Sequence, residues 1–181
     1  MRHKISEIVE IPAGVECIFE NRILKCNKGG VEISKEINLP SMSVKIDGGK
    51  ISLTSEKGNK NDRKIIGSYL AHIKNIFHGM DEKYGFKMQA CNVHFPMTLK
   101  VEGNKLSISN FLGEKTKRYA EITNGVDVVI KGQDVLVSSH NIEKAGITAA
   151  KIEKATRIVK KDRRVFQDGI FIVERGWGVA K

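Results

Sequence analysis

The chain has 181 residues, of which 40% are hydrophobic, so it can form one large domain or two small ones and is not wholly disordered. Lysine and arginine outnumber aspartate and glutamate by 31 to 21; this favours a polyanionic partner (nucleic acid or an acidic membrane surface), although charge alone does not exclude a merely soluble basic protein. No apolar run reaches the length of a membrane span and the N-terminus has no secretory signal, so a cytosolic protein is expected.

The first predicted element is a β-hairpin in the segment ECIFENRILKC, which reverses direction at Asn21–Arg22. The two-residue period of strands places Phe19 opposite Leu24 and Cys17 opposite Cys26 on one apolar face. Facing cysteines can form a disulfide, but in a cytosolic protein we expect two buried, reduced thiols.

A second hairpin and an amphipathic helix follow in the chain. The segment SVKIDGGKISL reverses at Gly48–Gly49, a pair that suits a turn with positive φ. Apolar residues at helical spacing then predict a helix over roughly residues 61–78, with Asn61 as its N-cap and Gly79 as its end.

The same order of elements recurs in the second half of the chain. TLKVEGNKLSIS and VDVVIKGQDVLVSS reverse at Gly103–Asn104 and Gly132–Gln133, and a second amphipathic helix is predicted from Asn141 to Ile158. The apolar positions of corresponding hairpins match in the pairs Val44/Val128, Ile46/Ile130, Ile51/Val135 and Leu53/Val137. We therefore predict an α+β fold with an internal duplication. Each of two tandem domains, residues 1–81 and 82–181, would pack antiparallel β-hairpins on one amphipathic helix.

Two basic segments lie in the C-terminal half. EKTKRY follows the turn NFLG and carries Lys115, Lys117 and Arg118, and RIVKKDRRVFQDGIFI carries the cations Arg157, Lys160, Lys161, Arg163 and Arg164. Cations on loops held by strands can lie along a phosphate backbone. The alternative for the first segment is a solvated loop, and the helix dipole accounts for one or two cations of the second.

Signals for catalysis and metal binding are weak. The sequence has no glycine-rich nucleotide-binding motif, no HExxH or GxSxG motif and no CxxC pair among its 3 cysteines. We therefore expect no enzyme activity, no cofactor, no metal site and no small-molecule substrate. Aromatic residues make up only 6% of the chain, and KYGFKMQA does not fit the RNA-recognition motif. If RNA is the partner, phosphate contacts and shape should dominate over base stacking.

Three further segments carry a resemblance to a known family. YGFKMQACNVHFPM followed by NFLGEK, then KKDRRVFQDGIFIVERG, and earlier KIIGSYLAHIKNIFHGM occur in the family's order. They resemble the central signature, the C-terminal signature and the first long helix of the sixth protein of the large ribosomal subunit, in its archaeal and eukaryotic form (the eukaryotic counterpart is large-subunit protein nine). The resemblance covers nearly the whole chain. One departure is CNKGGVEI, which lacks the proline of the family's usual loop, so the shape of the loop Cys26–Val31 stays open.

The resemblance implies a structural constituent of the large subunit that binds large-subunit rRNA near the stalk base and the sarcin–ricin region, where translation factors dock. It also implies neighbouring ribosomal proteins at the stalk base as partners, a ribosomal location in the cytoplasm, and no membrane partner. In the family the C-terminal domain makes much of the RNA contact. The positions expected to bind rRNA are Lys115, Lys117, Arg118, Arg157, Lys160, Lys161, Arg163, Arg164 and Arg175.

Two other interpretations stay open. One is a free-standing RNA-binding regulatory protein that has the same fold, and the weaker one is a small enzyme, for which no set of residues suggests a substrate. Co-sedimentation with ribosomal particles distinguishes the ribosomal protein from the free-standing module.

Overall fold

The computed structural model describes residues 3–38, 43–93, 95–162 and 164–179 of the chain. It divides into two compact units, Met1–Asp81 and Glu82–Lys181. Each unit has its own sheets, its own helix and its own buried apolar core. Neither helix in the described part of the chain is both long and apolar enough to cross a membrane.

The N-terminal unit consists of two antiparallel three-stranded sheets and one helix. In chain order the elements are β1 (His3–Glu10), β2 (Glu16–Glu20), β3 (Ile23–Lys28), β4 (Val31–Glu36), β5 (Ser43–Asp47), β6 (Lys50–Gly58) and α1 (Lys60–Asp81). The strand orders are β1-β6-β5 and β2-β3-β4. Ile66 and Ile73 of α1 are buried with Leu24 of β3 and with Ile51 and Leu53 of β6, so the helix closes the core of both sheets.

The C-terminal unit has the same parts and one additional strand. Its elements are β7 (Tyr84–Cys91), β8 (Thr98–Glu102), β9 (Lys105–Ser109), a short 3-10 turn (Phe111–Gly113), β10 (Arg118–Glu121), β11 (Asp127–Lys131), β12 (Asp134–Ser139), α2 (Ile142–Ala155) and β13 (Gly169–Trp177). One sheet has the order β11-β12-β7-β13 and the other β10-β9-β8. Ile152 of α2 is buried with Met88, Leu106, Val137 and Ile170, which come from strands of both sheets.

The predicted duplication and the α+β fold class are confirmed by the order of elements and by the strand registers. Each unit has one strand, then a three-stranded meander, then a hairpin and a helix, and the first strand joins the sheet of that hairpin. Val44 pairs with Leu53 in the N-terminal unit, and Val128 pairs with Val137 at the matching position of the C-terminal unit. The additional strand β13 pairs antiparallel with β7 and extends only the second copy.

Helix α1 is longer than its periodicity predicted, because its N-cap is Asn59 and not Asn61. The Asn59 side-chain oxygen accepts hydrogen bonds from the backbone N–H of Asn61 (2.7 Å) and Asp62 (3.0 Å). The Asp62 carboxylate in turn accepts the backbone N–H of Asn59 at 2.8 Å, a reciprocal capping arrangement that Asn61 lacks. At the other end the helix continues through the buried Gly79 to Asp81, so the expectation that Gly79 ends it is wrong.

The loop Cys26–Val31 is a tight hairpin between β3 and β4. Gly29 and Gly30 form its turn with φ of +57° and +86°, in the left-handed region. Proline cannot adopt positive φ, so this backbone is compatible with the glycine pair of this chain and not with a proline at either position.

Cys17 and Cys26 face each other across β2 and β3, as predicted, and both are free thiols. Their sulfur atoms lie 2.7 Å apart. Cys26 is fully buried as predicted, but the prediction is wrong for Cys17, which is only half-buried because β2 is an edge strand of its sheet. The hydrogen bond between the two thiols lowers the pKa of Cys17, with burial opposing it, while the same hydrogen bond and burial raise the pKa of Cys26.

The two thiols should therefore differ in reactivity. We expect iodoacetamide to modify Cys17 first and at a lower pH than an ordinary thiol, because alkylation requires the thiolate. Cys26 should react only when the unit unfolds. Replacing Cys26 with alanine removes the hydrogen bond and should move the onset of Cys17 alkylation to higher pH, as measured by mass spectrometry of the labelled peptides. Equal labelling rates of both thiols in the native protein would contradict this assignment.

Candidate nucleic-acid interface

The C-terminal end of α2 is attached to β13 through Thr156. The hydroxyl of this buried side chain donates to the Glu153 carbonyl at 3.2 Å and accepts the backbone N–H of Ile170 at 2.9 Å. The helix end and the first turn of the strand are therefore held at one point. The segment between them, which contains most of the predicted cations, starts and ends on rigid structure.

Arg118 connects the two basic segments that the sequence shows as separate. Its guanidinium donates two hydrogen bonds to the Glu114 carboxylate, at 2.8 and 2.6 Å. It also donates to the backbone carbonyls of Ala155 (3.0 Å) and Arg157 (3.1 Å), at the end of α2. The guanidinium carbon lies 4.2 Å from the centre of the buried Phe111 ring. We refer to these contacts as the Arg118 network.

The Arg118 network brings the first basic loop (residues 114–118) against the second basic loop (residues 157–164). The pKa of Glu114 is held below its usual value, chiefly by the hydrogen bond from Arg118, against partial burial and with help from the charges of Arg118 and Lys161. Lys161 of the second loop is thus one of the charges that favour the ionised Glu114 carboxylate of the first loop. We call the exposed cations of both loops the joined basic surface: Lys115, Lys117, Arg157, Lys160, Lys161 and Arg164.

The depressed pKa of Glu114 predicts a specific pH dependence of stability. Because the folded-state pKa lies below the unfolded value of about 4.3, this carboxylate stabilises the C-terminal unit fully above that value and loses its effect as the pH falls through the folded pKa. Glu114→Gln should therefore be less stable than wild type near neutral pH, and the difference in stability should narrow as the pH falls through the folded-state pKa of Glu114. Urea unfolding at several pH values measures this. If the difference in stability between wild type and Glu114→Gln stays constant with pH, the role of Glu114 is contradicted. Glu153→Gln on α2 is the control for the loss of one negative charge.

The second basic loop has an internally braced turn. Asp162 accepts hydrogen bonds from the Arg164 guanidinium (3.2 and 3.1 Å) and from the Arg164 backbone N–H (2.9 Å), and these bonds lower the pKa of Asp162. Lys160 has a left-handed φ of +60°, and the ammonium of Lys161 lies 4.6 Å from the centre of the Phe166 ring. The Arg164 side chain nevertheless remains 90% exposed, so its charge is still available to a ligand.

The structure does not bring all the predicted residues together. Arg175 lies opposite Phe86 on β7, whereas the loop enters β13 at Gly169, opposite Cys91. Arg175 is thus about 17 Å further along the sheet, at about 3.4 Å per residue. Arg163 lies outside the described residues. Lys117 is exposed and only 3.7 Å from Glu102, and such exposed pairs contribute little.

Sequence reasoning missed the partners of Arg118. The spacing of Glu114 and Arg118 was a local signal for an ion pair, whereas the carbonyls of Ala155 and Arg157 are distant in sequence and gave none. Within the described part of the chain, no three His, Cys, Asp or Glu side chains are grouped as they would be around a metal ion.

Comparison with known proteins gives consistent matches. The family model described as Ribosomal protein L6 matches residues 95–169, a range that includes both basic loops. Large ribosomal subunit protein uL6 of Methanocella arvoryzae is 41% identical over 173 residues, covering 95% of this chain and 97% of the relative. The uL6 proteins of Methanococcus vannielii (171 residues, 94% of each chain) and Methanosarcina mazei (177 residues, 97% of this chain and 99% of the relative) are each 37% identical.

Proposed function

The chain belongs to the ribosomal protein L6 family, and on this basis we propose that its C-terminal unit binds large-subunit rRNA through the joined basic surface. Members of the family are structural and not enzymes, so the chain is a structural protein of the large ribosomal subunit, and the expectation of no enzyme activity is confirmed. Its place is accordingly the ribosome, in the cytoplasm.

The single observation that carries the proposal is the Arg118 network, which joins two cationic loops on one rigid base. Two hydrogen bonds from Arg118, to the carbonyls of Ala155 and Arg157, hold the first loop against the end of α2, and two more to Glu114 brace the loop itself. The exposed cations around Arg118 then form one surface. Because the loops are already ordered in the free protein, binding does not carry the entropy cost of ordering them. Such a surface suits a phosphate backbone, since phosphate contacts set the register and orientation of a nucleic acid.

The predicted rRNA-binding residues divide into different roles under this proposal. Lys115, Lys117, Arg157, Lys160, Lys161 and Arg164 contact phosphates, and Arg163 joins them on the ground of sequence alone. Arg118 positions the two loops, because four of the five N–H donors of a guanidinium are engaged within the protein. Arg175, which is exposed on β13, belongs to a separate contact.

The family resemblance supports a more specific location. We place the binding site near the stalk base and the sarcin–ricin region, with other ribosomal proteins as neighbours and translation factors docking nearby. The C-terminal unit then has the main rRNA contact, and the N-terminal unit, residues 1–81, is the first copy of the fold.

Gradient sedimentation tests the ribosomal role against the free-standing alternative. Tagged wild-type protein is expressed in cells and followed through a gradient that separates the two ribosomal subunits. We expect it in the large-subunit fraction, and we expect it to remain there after washing in moderate salt. Protein found only at the top of the gradient would overturn the ribosomal role and favour a free-standing RNA-binding regulator.

A further inference from the structure

A cavity of about 430 Å³ lies beside the joined basic surface, between the end of α2 and the start of β13. Its lining includes Arg157 of the second basic loop and the four residues Phe166, Gln167, Asp168 and Phe171. This volume falls within the range of about 300–1,000 Å³ that is typical of sites for small organic groups. Its position means that a nucleic acid bound along the loops passes the mouth of the cavity.

Two phenylalanine rings give the cavity an aromatic lining without being part of the core. Phe166 is half-buried and Phe171 is 36% exposed, whereas Phe111 of the same unit is fully buried. The Phe171 ring packs so closely over Gly169 that a Cβ there would lie 2.9 Å from it. The absence of a side chain at residue 169 therefore lets this ring lie against the backbone at the entrance of β13.

Polar groups of the cavity complement a flat heterocycle. Asp168 is buried, and one of its carboxylate oxygens accepts the backbone N–H of Val93 at 3.1 Å. The Gln167 amide nitrogen donates a hydrogen bond to the Arg164 carbonyl at 3.3 Å. This bond fixes the orientation of the Gln167 amide, whose oxygen is a hydrogen-bond acceptor. Lys154 and Arg157 add positive charge to the lining, and Glu153 adds a second carboxylate. Aromatic faces, amide and carboxylate edges and adjacent cations are the groups that bind an unstacked base together with its phosphate.

We propose that this cavity receives one unstacked base of the RNA whose phosphates lie on the joined basic surface. This inference rests on the proposed function and adds a base contact to it. Phosphate contacts alone do not identify bases. Because bases are unstacked in flexible RNA segments and stacked in a regular helix, the cavity is the place where this unit distinguishes the two.

The test compares two single-stranded probes of equal length and charge, octauridylate and the corresponding ribose-phosphate oligomer without bases. Stacking of one base predicts that wild-type protein binds octauridylate about 5- to 140-fold more tightly at the same salt concentration. Phe171→Leu preserves the apolar character of the site but removes the stacking face, and it should bring the two affinities close together. Val173→Ala, at an exposed apolar residue of β13 that is not part of the cavity lining, is the matched control and should retain the preference.

The outcomes separate the two levels of the proposal. If both probes bind equally to wild type with a strong salt dependence, the base site is wrong and the phosphate surface stands. A preference for octauridylate that Phe171→Leu leaves unchanged also overturns the cavity, because the base is then bound elsewhere. Failure of both probes to bind, together with failure of large-subunit rRNA, would overturn the proposed function itself. The thermal unfolding midpoint of each variant confirms that it is folded.

Discussion

Replacing Arg118 with alanine is expected to lower the free energy of unfolding of the C-terminal unit by about 2–4 kcal/mol. The substitution removes four hydrogen bonds from a charged donor and the contact of its guanidinium with the Phe111 ring. It also leaves the Glu114 carboxylate without its cation. Because the Arg118 side chain is only 27% exposed, solvent compensates for a part of this loss and not for all of it.

Two further variants show whether the geometry or the charge of Arg118 is responsible for its effect on stability. Arg118→Lys keeps the positive charge but has no planar fork, so it should recover less than half of the lost stability. Arg157→Ala removes an exposed cation from the same region and should change stability by no more than about 0.5 kcal/mol. Urea unfolding followed by fluorescence measures all three, since Trp177 is the single tryptophan of the chain and packs on Tyr84 within the C-terminal unit. If the Arg118→Ala protein were as stable as the Arg157→Ala protein, this result would contradict the positioning role of Arg118.

The triple substitution Lys160→Ala, Lys161→Ala and Arg164→Ala is expected to weaken binding to large-subunit rRNA on the order of a hundredfold at about 0.15 M salt. Each lost phosphate contact should reduce the slope of log affinity against log salt by about 0.9 for a duplex, or about 0.7 for a single strand. The loss should be similar for sequence variants of the RNA, because phosphates do not identify bases. Stability should change little, since all three side chains are exposed.

A control with the same loss of charge distinguishes local phosphate contacts from the general electrostatic attraction between a basic protein and RNA. Lys25→Ala, Lys45→Ala and Lys64→Ala together remove three exposed cations from the N-terminal unit. This control should lose less affinity than the variant of the second basic loop. If the loop variant keeps the wild-type salt slope and is merely less stable, its cations serve the C-terminal end of α2 and do not contact phosphates.

Much of the fold could be predicted because its determinants are local. Turn residues such as Gly48–Gly49 and the alternation of apolar side chains set each hairpin register within about ten residues of chain. The same local pattern, found twice, revealed the duplication. The first helix shows the limit of this reasoning. Asn59 and Asn61 both suit a cap, and only the reciprocal bond from the Asn59 backbone N–H to the Asp62 carboxylate decides between them.

The candidate site was predicted less completely because its geometry depends on contacts distant in sequence. Arg118 was interpreted as a phosphate ligand from its place in a basic segment, but its partners include Ala155, 37 residues away. Similarly, Phe171 belongs to a strand pattern typical of the core, yet its ring lines an open cavity because β13 pairs with β7 at the edge of the sheet.

Site-directed photo-crosslinking in assembled large subunits tests whether the two basic loops form one RNA-binding surface. A photoreactive phenylalanine analogue replaces Lys115 in one variant and Lys161 in another, and the crosslinked nucleotides are identified by sequencing, with unmodified protein as the control. Because the hydrogen bonds from Arg118 to the carbonyls of Ala155 and Arg157 hold the first loop against the second, we predict that both positions crosslink to the same segment of large-subunit rRNA. Crosslinks from the two positions to unrelated RNA segments, or to protein alone, would contradict a single surface.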